Sequence, residues 1–161
     1  MVVLDTEIND AIEISGISWK RFPSPDDQAT FSDLSVYLGL CASDNLVPTF
    51  DDNFISGTKT LVFNEASYTT DVVAINEWFE IPFTTPFWYN GQDNLLIEIN
   101  WSAGDGSLYS WSALPGGIRR IYGAYGSTTS LVQDDNFPTI QLHGTLSLEN
   151  STFGRIKAAF I

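Results

Sequence analysis

Apolar residues recur along the chain in short runs, and Gly, Pro, Asn, Asp and Ser separate these runs. Such runs predict β-strands, and the spacing typical of amphipathic helices is nearly absent. The pattern predicts about eight strands, at residues 11–22, 34–41, 59–63, 76–83, 94–101, 108–112, 118–123 and 139–148. About eight short antiparallel strands without intervening helices predict an all-β chain that forms a single jelly-roll-like β-sandwich over residues 1–161.

In the run at residues 11–22, the apolar side chains change from even to odd positions halfway along. Ile12 and Ile14 share one face of a regular strand, whereas Ile17 and Trp19 share the other. A β-bulge at Gly16 would turn all four side chains towards the core. The run therefore predicts one long strand with an irregularity at Ser15-Gly16.

The last run alternates without interruption. Ile140, Leu142 and Leu146 are separated by polar residues, which predicts a half-buried antiparallel strand. His143 is the only histidine of the chain, and this alternation places it on the solvent face.

The stretch TPFWYNGQDNLLIEINW, residues 85–101, combines a turn with a core strand. Residues 86–92 are predicted to form a loop that turns at Asn90-Gly91. The strand after this loop has Glu98 and Asn100 on its outward face. Its inward residues are predicted to be Leu95, Ile97, Ile99 and Trp101. Residues 102–107 are predicted to close a hairpin into the run at 108–112.

Both ends carry apolar side chains beyond the predicted sandwich. Residues 1–10 are interpreted as an N-terminal strand or arm, and residues 150–161 as a tail that can form a short amphipathic helix. Either end can dock on its own domain or add to the exposed sheet edge of a neighbouring copy. We expect at least one end to pack on another copy. The residues assigned to this assembly are Val2, Leu4, Ile8, Phe153, Ile156 and Phe160.

Charge limits the partners of the chain. The 161 residues contain 7 Lys and Arg against 20 Asp and Glu, which gives a net charge of −13. Such a charge repels nucleic acid and anionic membranes, and no apolar window is long enough to insert into a membrane. Cys41 is the only cysteine, so no intramolecular disulfide can form.

The composition also bears on location. Few lysines and many aromatic, Thr, Ser, Asn and Gly residues are typical of secreted β-proteins. The first residues lack a signal-peptide pattern, so the chain is interpreted as cytosolic or as a trimmed mature fragment. We expect the second, with an extracellular or cell-surface location.

No motif for a catalytic nucleophile or a zinc hydrolase is present, and we expect no enzymatic activity. Aromatic rings next to carboxylates and amides suit carbohydrate, because the rings stack on the apolar faces of sugars. A hydrolytic pair of Glu80 and Glu98 would require their strands to be neighbours. The residues assigned to ligand binding are Trp78, Glu80, Trp88, Tyr89, Glu98, Asn100, Tyr109 and Trp111.

Clusters of acids and amides occur in several predicted loops, and the tetrapeptide Asp-Asp-Asn-Phe occurs at 51–54 and again at 134–137. Oxygen-rich loops are what Ca²⁺ requires, and calcium is the one cofactor that we consider. The alternative is turn chemistry, in which these side chains bond to nearby backbone. The candidate ligands are Asp51, Asp52, Asn53, Asp134, Asp135 and Asn136.

Arg119 and Arg120 are adjacent in an otherwise acidic chain. In a strand their side chains must point to opposite faces. We expect one of them to form a bidentate ion pair with an acidic loop.

Several segments together resemble a known type of module. They are FDDNF, TLVF, PFWYNGQDNLLIEI, RRIYGAYG and PTIQL. Over residues 12–148 the chain resembles uncharacterised jelly-roll modules of large secreted bacterial surface proteins. This resemblance implies export and a β-sandwich, and it supplies no catalytic residues.

We therefore expect a non-catalytic extracellular module with a structural or adhesive role. It would assemble through its terminal segments with other copies of itself or with neighbouring modules of surface proteins. The alternative is a carbohydrate-binding module that uses outward-facing aromatic residues to hold glycans.

Overall fold

The computed structural model describes residues 1–146. Its first half contains β1 (Val2–Val3), α1 (Asp5–Ile8), β2 (Ile12–Lys20), β3 (Thr30–Cys41), a 3₁₀ turn (Asp51–Asn53), β4 (Thr60–Thr69) and β5 (Trp78–Tyr89). Its second half contains β6 (Asn94–Asn100), β7 (Ala103–Asp105), β8 (Ser112–Ala113), β9 (Arg120–Tyr122), β10 (Val132–Asp134), β11 (Phe137–Pro138) and β12 (Ile140–Leu146). Neither of the two helical turns in this part of the chain is long and apolar enough to cross a membrane.

Two antiparallel sheets form the body of the molecule. The first sheet has the strand order β1-β6-β3-β4, and β7 also pairs with β3. The second sheet has the order β12-β2-β5, and two small ribbons join β9 to β10 and β8 to β11. Buried side chains from both main sheets share one hydrophobic core, for example Ile14 and Ile17 with Val36 and Leu38. The predicted all-β sandwich architecture is confirmed.

The predicted bulge in β2 is confirmed. The register of β2 against β5 shifts between Ile14 and Gly16, and β12 shifts against the same segment. As a result Ile14, Ile17 and Trp19 are all buried, and Ile12 packs against the same core.

The predicted loop at residues 86–92 is shorter than expected, because β5 continues through Tyr89. Pro86 is tolerated inside β5 because this strand lies at the edge of its sheet. The pairing with β2 also jumps from Pro82 to Phe87, so Pro86 has no opposite residue there. The turn itself does lie at Asn90-Gly91, where Gly91 has φ +71°.

The predicted hairpin between β6 and residues 108–112 is wrong. Residues 103–105 pair with β3 instead, with Ser32 opposite Ala103. Trp101, which was predicted to point inward, follows the end of β6 and is 47% exposed. It packs edge-on against Phe31 with the ring centroids 6.0 Å apart.

The N-terminal segment belongs to its own domain. β1 pairs with β6, so that Val2 lies opposite Leu96 and is fully buried. The nitrogen of Met1 donates to the carbonyl of Ile97 at 2.8 Å, and Ile97 N–H donates back to the Met1 carbonyl at 2.9 Å.

These contacts correct the assembly prediction for this end. The side chain of Val2 is buried within its own domain, Leu4 is half-buried, and Ile8 packs against the main core. The three C-terminal residues assigned to assembly, Phe153, Ile156 and Phe160, lie outside the described residues, as does the predicted helix at 150–161.

Candidate functional site

A cleft of about 550 Å³ lies on the outer face of the first sheet, a volume within the range of small-ligand sites. Its floor is the outward face of β6, which presents Leu96, Glu98 and Asn100, whereas Leu95 and Ile97 of the same strand face the main core. Its walls come from residues 46–54 and 120–127. We call it the β6 cleft. The other side chains that line it include Leu46, Phe50, Phe54, Trp101, Arg120, Ile121, Tyr122 and Tyr125.

Hydrogen bonds hold the first wall of the cleft in its turn and connect the two walls to each other. Asn53 is buried, and its amide donates to the carbonyls of Val47 and Thr49 at 3.0 and 2.8 Å. Its side-chain oxygen accepts from Val47 N–H at 2.7 Å. Between the walls, Phe50 N–H donates to the Thr128 carbonyl at 3.1 Å. The loops that form the walls of the cleft are therefore held in place by hydrogen bonds.

A charged cluster supports the floor of the cleft. Lys59 Nζ donates to both carboxylate oxygens of Glu98, at 3.0 and 2.9 Å, and to Asp51 Oδ1 at 2.7 Å. Burial alone would lower the pKa of Lys59, but its bonds to Asp51 and Glu98 outweigh that effect and raise the pKa above the usual value. The Asn100 amide donates to Glu98 Oε1 at 2.9 Å. The carboxylate of Glu98 is thus held in one orientation.

Three aromatic rings border this polar centre. Trp101, Tyr122 and Tyr125 are each about half exposed. The guanidinium of Arg120 lies 5.1 Å from the centre of the Tyr122 ring. Apolar ring faces next to an oriented carboxylate and amide form a surface with both stacking and hydrogen-bonding capacity.

The structure divides the residues that were assigned to ligand binding among three places. Glu98 and Asn100 lie in the β6 cleft. Trp78, Glu80 and Trp88 project from β5 on the outer face of the second sheet, opposite Lys20, Ser18 and Glu13 respectively. Tyr109 and Trp111 lie beside β2, with Trp111 edge-on to Phe22 at 4.6 Å.

One assignment made from the sequence is wrong, and the strands of the Glu80–Glu98 pair are not neighbours. Tyr89 is fully buried, and its hydroxyl donates to the Asp93 carbonyl at 2.7 Å, so its ring cannot face a ligand. Glu80 and Glu98 belong to different sheets, and both point away from the core that separates these sheets. They cannot act together as a hydrolytic pair.

The residues that sequence reasoning missed are Trp101, Tyr122, Tyr125 and Arg120. The motif IYGAYGS at 121–127 does place each of two tyrosines directly before a glycine, but only the tertiary structure brings that segment beside β6. The alternation of β6 predicts an inward Trp101, but the strand ends at Asn100, one residue before it.

Three of the six candidate calcium ligands are already engaged by other groups. Asp51 is bonded to Lys59, Asn53 to its own turn, and both oxygens of Asp134 accept from Arg120, at 3.0 and 2.8 Å. Asp52 and Asp135 lie beside these engaged neighbours. Within residues 1–146, no three His, Cys, Asp or Glu side chains are close enough to hold a metal ion. Ion pairing and turn chemistry account for Asp51, Asn53 and Asp134, whereas the side-chain oxygen of Asn136 is buried and has no hydrogen-bond partner among the described residues. Calcium binding by these loops stays a prediction.

The two adjacent arginines do point to different partners. Arg119 is buried, donates to the Val2 carbonyl at 2.9 Å and pairs with Glu7. Arg120 makes the expected bidentate pair, with Asp134 as its partner. This pair fixes a residue that lines the cleft.

Asp134→Asn should lower the free energy of unfolding by about 1 kcal/mol at pH 7, because a half-exposed charge-assisted pair is lost. Its hydrogen bond with Arg120 holds the pKa of Asp134 below the usual value. The contribution is therefore complete above about pH 4 and is lost as the pH falls through the lower folded pKa. Urea unfolding of both chains from pH 7 to pH 2 measures the difference. A difference that stays constant down to pH 2 would contradict this origin.

Comparisons of the chain with known protein families, with curated proteins and with solved structures find no match. Its function therefore has to be inferred from the chemistry of the cleft.

Proposed function

We propose that the chain is a non-catalytic extracellular adhesive module that binds carbohydrate in the β6 cleft. The observation that carries this proposal is the arrangement of Trp101, Tyr122 and Tyr125 around the Glu98–Asn100 pair. Sugar rings have apolar C–H faces that stack on aromatic rings, and their hydroxyl groups need nearby polar partners. Both kinds of contact are available within one cleft of suitable size.

The absence of catalysis is part of the proposal. Glycoside hydrolysis by the usual mechanisms needs two carboxyl groups across the scissile bond. Among the described residues that line the cleft, Glu98 is the one carboxylate, and Lys59 is bonded to both of its oxygens. Within this part of the chain, Glu98 therefore has no second carboxyl group across the cleft with which to form the pair that these mechanisms need.

The extracellular location and the jelly-roll connectivity are also part of the proposal. An extracellular surface is supported by the low content of charged residues, 17%, together with the high aromatic content, 14%. The jelly-roll connectivity is supported by the pairing of β12 with β2, which joins the first long strand to the last described one. Neighbouring modules of a surface protein remain the proposed protein partners.

Trp101→Ala should weaken the binding of any glycan that the cleft holds by at least about tenfold, because it removes a stacking surface. The matched control is Trp88→Ala, which removes an equally exposed tryptophan from the other sheet. A glycan array identifies the ligand, and titration calorimetry with each chain measures the affinity. Equal losses in both variants, or no glycan bound by the unaltered chain, would contradict the proposal.

A further inference from the structure

The floor of the β6 cleft offers acceptors of hydrogen bonds. A carboxylate has about four acceptor positions. Oε1 of Glu98 accepts from Lys59 and Asn100, whereas Oε2 accepts from Lys59 alone. The side chain is 18% exposed and lines the cleft, and Oε2 keeps one acceptor position that no described protein group fills.

The orientation of Asn100 adds a second acceptor. Because a carboxylate only accepts, Asn100 must turn its NH₂ group towards Glu98. The amide oxygen is then left for a ligand, and no side chain or backbone group within residues 1–146 donates to it.

The positively charged groups next to the cleft each have partners. The nitrogen of Met1 donates to the Ile97 carbonyl at 2.8 Å, and burial lowers its pKa to about 5. Arg120 directs two of its N–H groups at Asp134, and Lys59 lies between two carboxylates. The local charge around Lys59, Asp51 and Glu98 is therefore negative, inside a chain of net charge −13. A ligand that brought a carboxylate or sulfate would meet repulsion there, whereas one that brought an ammonium or hydroxyl would meet free acceptors.

From these contacts we infer that the β6 cleft selects saccharides that donate hydrogen bonds and carry no negative charge, and that amino sugars bind best. This inference rests on the proposed carbohydrate binding. Glu98 determines the specificity, and Lys59 and Asn100 position its carboxylate.

The test compares three tetrasaccharides with β-1,4 linkages: cellotetraose, the glucosamine tetramer and the glucuronic acid tetramer. Relative to cellotetraose, each sugar unit carries an amino group in the second and a carboxylate in the third. Calorimetry at pH 6 and low salt should give about tenfold tighter binding of the glucosamine tetramer than of cellotetraose. The glucuronic acid tetramer should bind at least about tenfold more weakly than cellotetraose.

A strongly acidic chain attracts any cation through its overall charge. Two variants that each remove one negative charge therefore distinguish the contribution of the cleft from this overall attraction. Glu98→Gln should lower the ratio of glucosamine to cellotetraose affinity by at least about threefold. Glu80→Gln, on the other sheet, should leave that ratio unchanged. In the unaltered chain, raising the salt concentration should lower the ratio as well, since screening weakens charge contacts.

The possible failures are distinct. Equal ratios in the two variants, or strongest binding of the glucuronic acid tetramer, would overturn the inference while leaving carbohydrate binding intact. Binding of none of the three tetramers would overturn the inference too, and a glycan array without any bound glycan would overturn the proposed function.

Discussion

Val2→Asn is expected to lower the free energy of unfolding by about 4 kcal/mol, because it replaces a fully buried apolar side chain with an amide. Val2 packs with Cys41, Leu46 and Leu96. None of these three side chains offers a strong hydrogen-bond partner. A loss of this size is a large fraction of the 5–15 kcal/mol that typically stabilises a domain.

The matched control is Val72→Asn, at a valine that is 67% exposed. It should change the free energy of unfolding by less than about 0.5 kcal/mol. Urea unfolding followed by tryptophan fluorescence measures both chains. Equal stability of the two variants would show that β1 is not anchored on β6, and would restore the docking of this segment on another copy.

Gly144→Ala is expected to destabilise the fold by about 3 kcal/mol, because a Cβ atom there would collide with the carbonyl oxygen of Glu13. This oxygen belongs to the backbone of β2, the central strand of the second sheet, and cannot rotate away. To avoid this collision, β12 would have to move away from β2 at the point where their register shifts.

Gly104→Ala provides the control for this prediction. Gly104 also lies in a strand, but an added Cβ would have ordinary contacts at 3.8 Å with Phe31 and Thr30. Its stability should stay within about 0.5 kcal/mol of the unaltered chain. Thermal unfolding of the two variants is a direct comparison, and a smaller loss for Gly144→Ala than for Gly104→Ala would contradict the steric account.

Those parts of the fold that depend on local periodicity could be predicted from the sequence. The change of parity at Ser15-Gly16 located the bulge, since four apolar residues had to reach one core. The alternation of Leu95 and Ile97 located the buried face of β6. The adjacency of Arg119 and Arg120 required two separate sets of partners, and the fold provides both.

Features that depend on strand neighbours could not be predicted. Pro86 looks like a strand breaker, and only the position of β5 at a sheet edge makes it acceptable. The first copy of the tetrapeptide Asp-Asp-Asn-Phe contains the 3₁₀ turn Asp51–Asn53, whereas the second copy, at 134–137, runs from the end of β10 into β11. Identical local sequence therefore takes the structure that its surroundings impose.

The candidate site was hard to predict for a similar reason. Glu98 and Asn100 were found because their strand is regular. The aromatic walls come from loops that are held by contacts such as Phe50 N–H to the Thr128 carbonyl. No spacing within one segment reveals such a contact between distant parts of the chain.

During synthesis on the ribosome, β2 emerges long before either of its neighbours. It lies between β5 and β12, so both of its edges stay unpaired until those strands have been made. Pairing over such separations is slow, and open strand edges invite aggregation. Irregular and charged strands resist wrong pairing, and β2 carries a bulge at Ser15-Gly16 with Glu13 and Lys20 on either side. The change of parity at Ser15-Gly16 also means that no regular strand can pair along β2 and keep all four of its apolar side chains on one face, which disfavours wrong partners for the nascent chain.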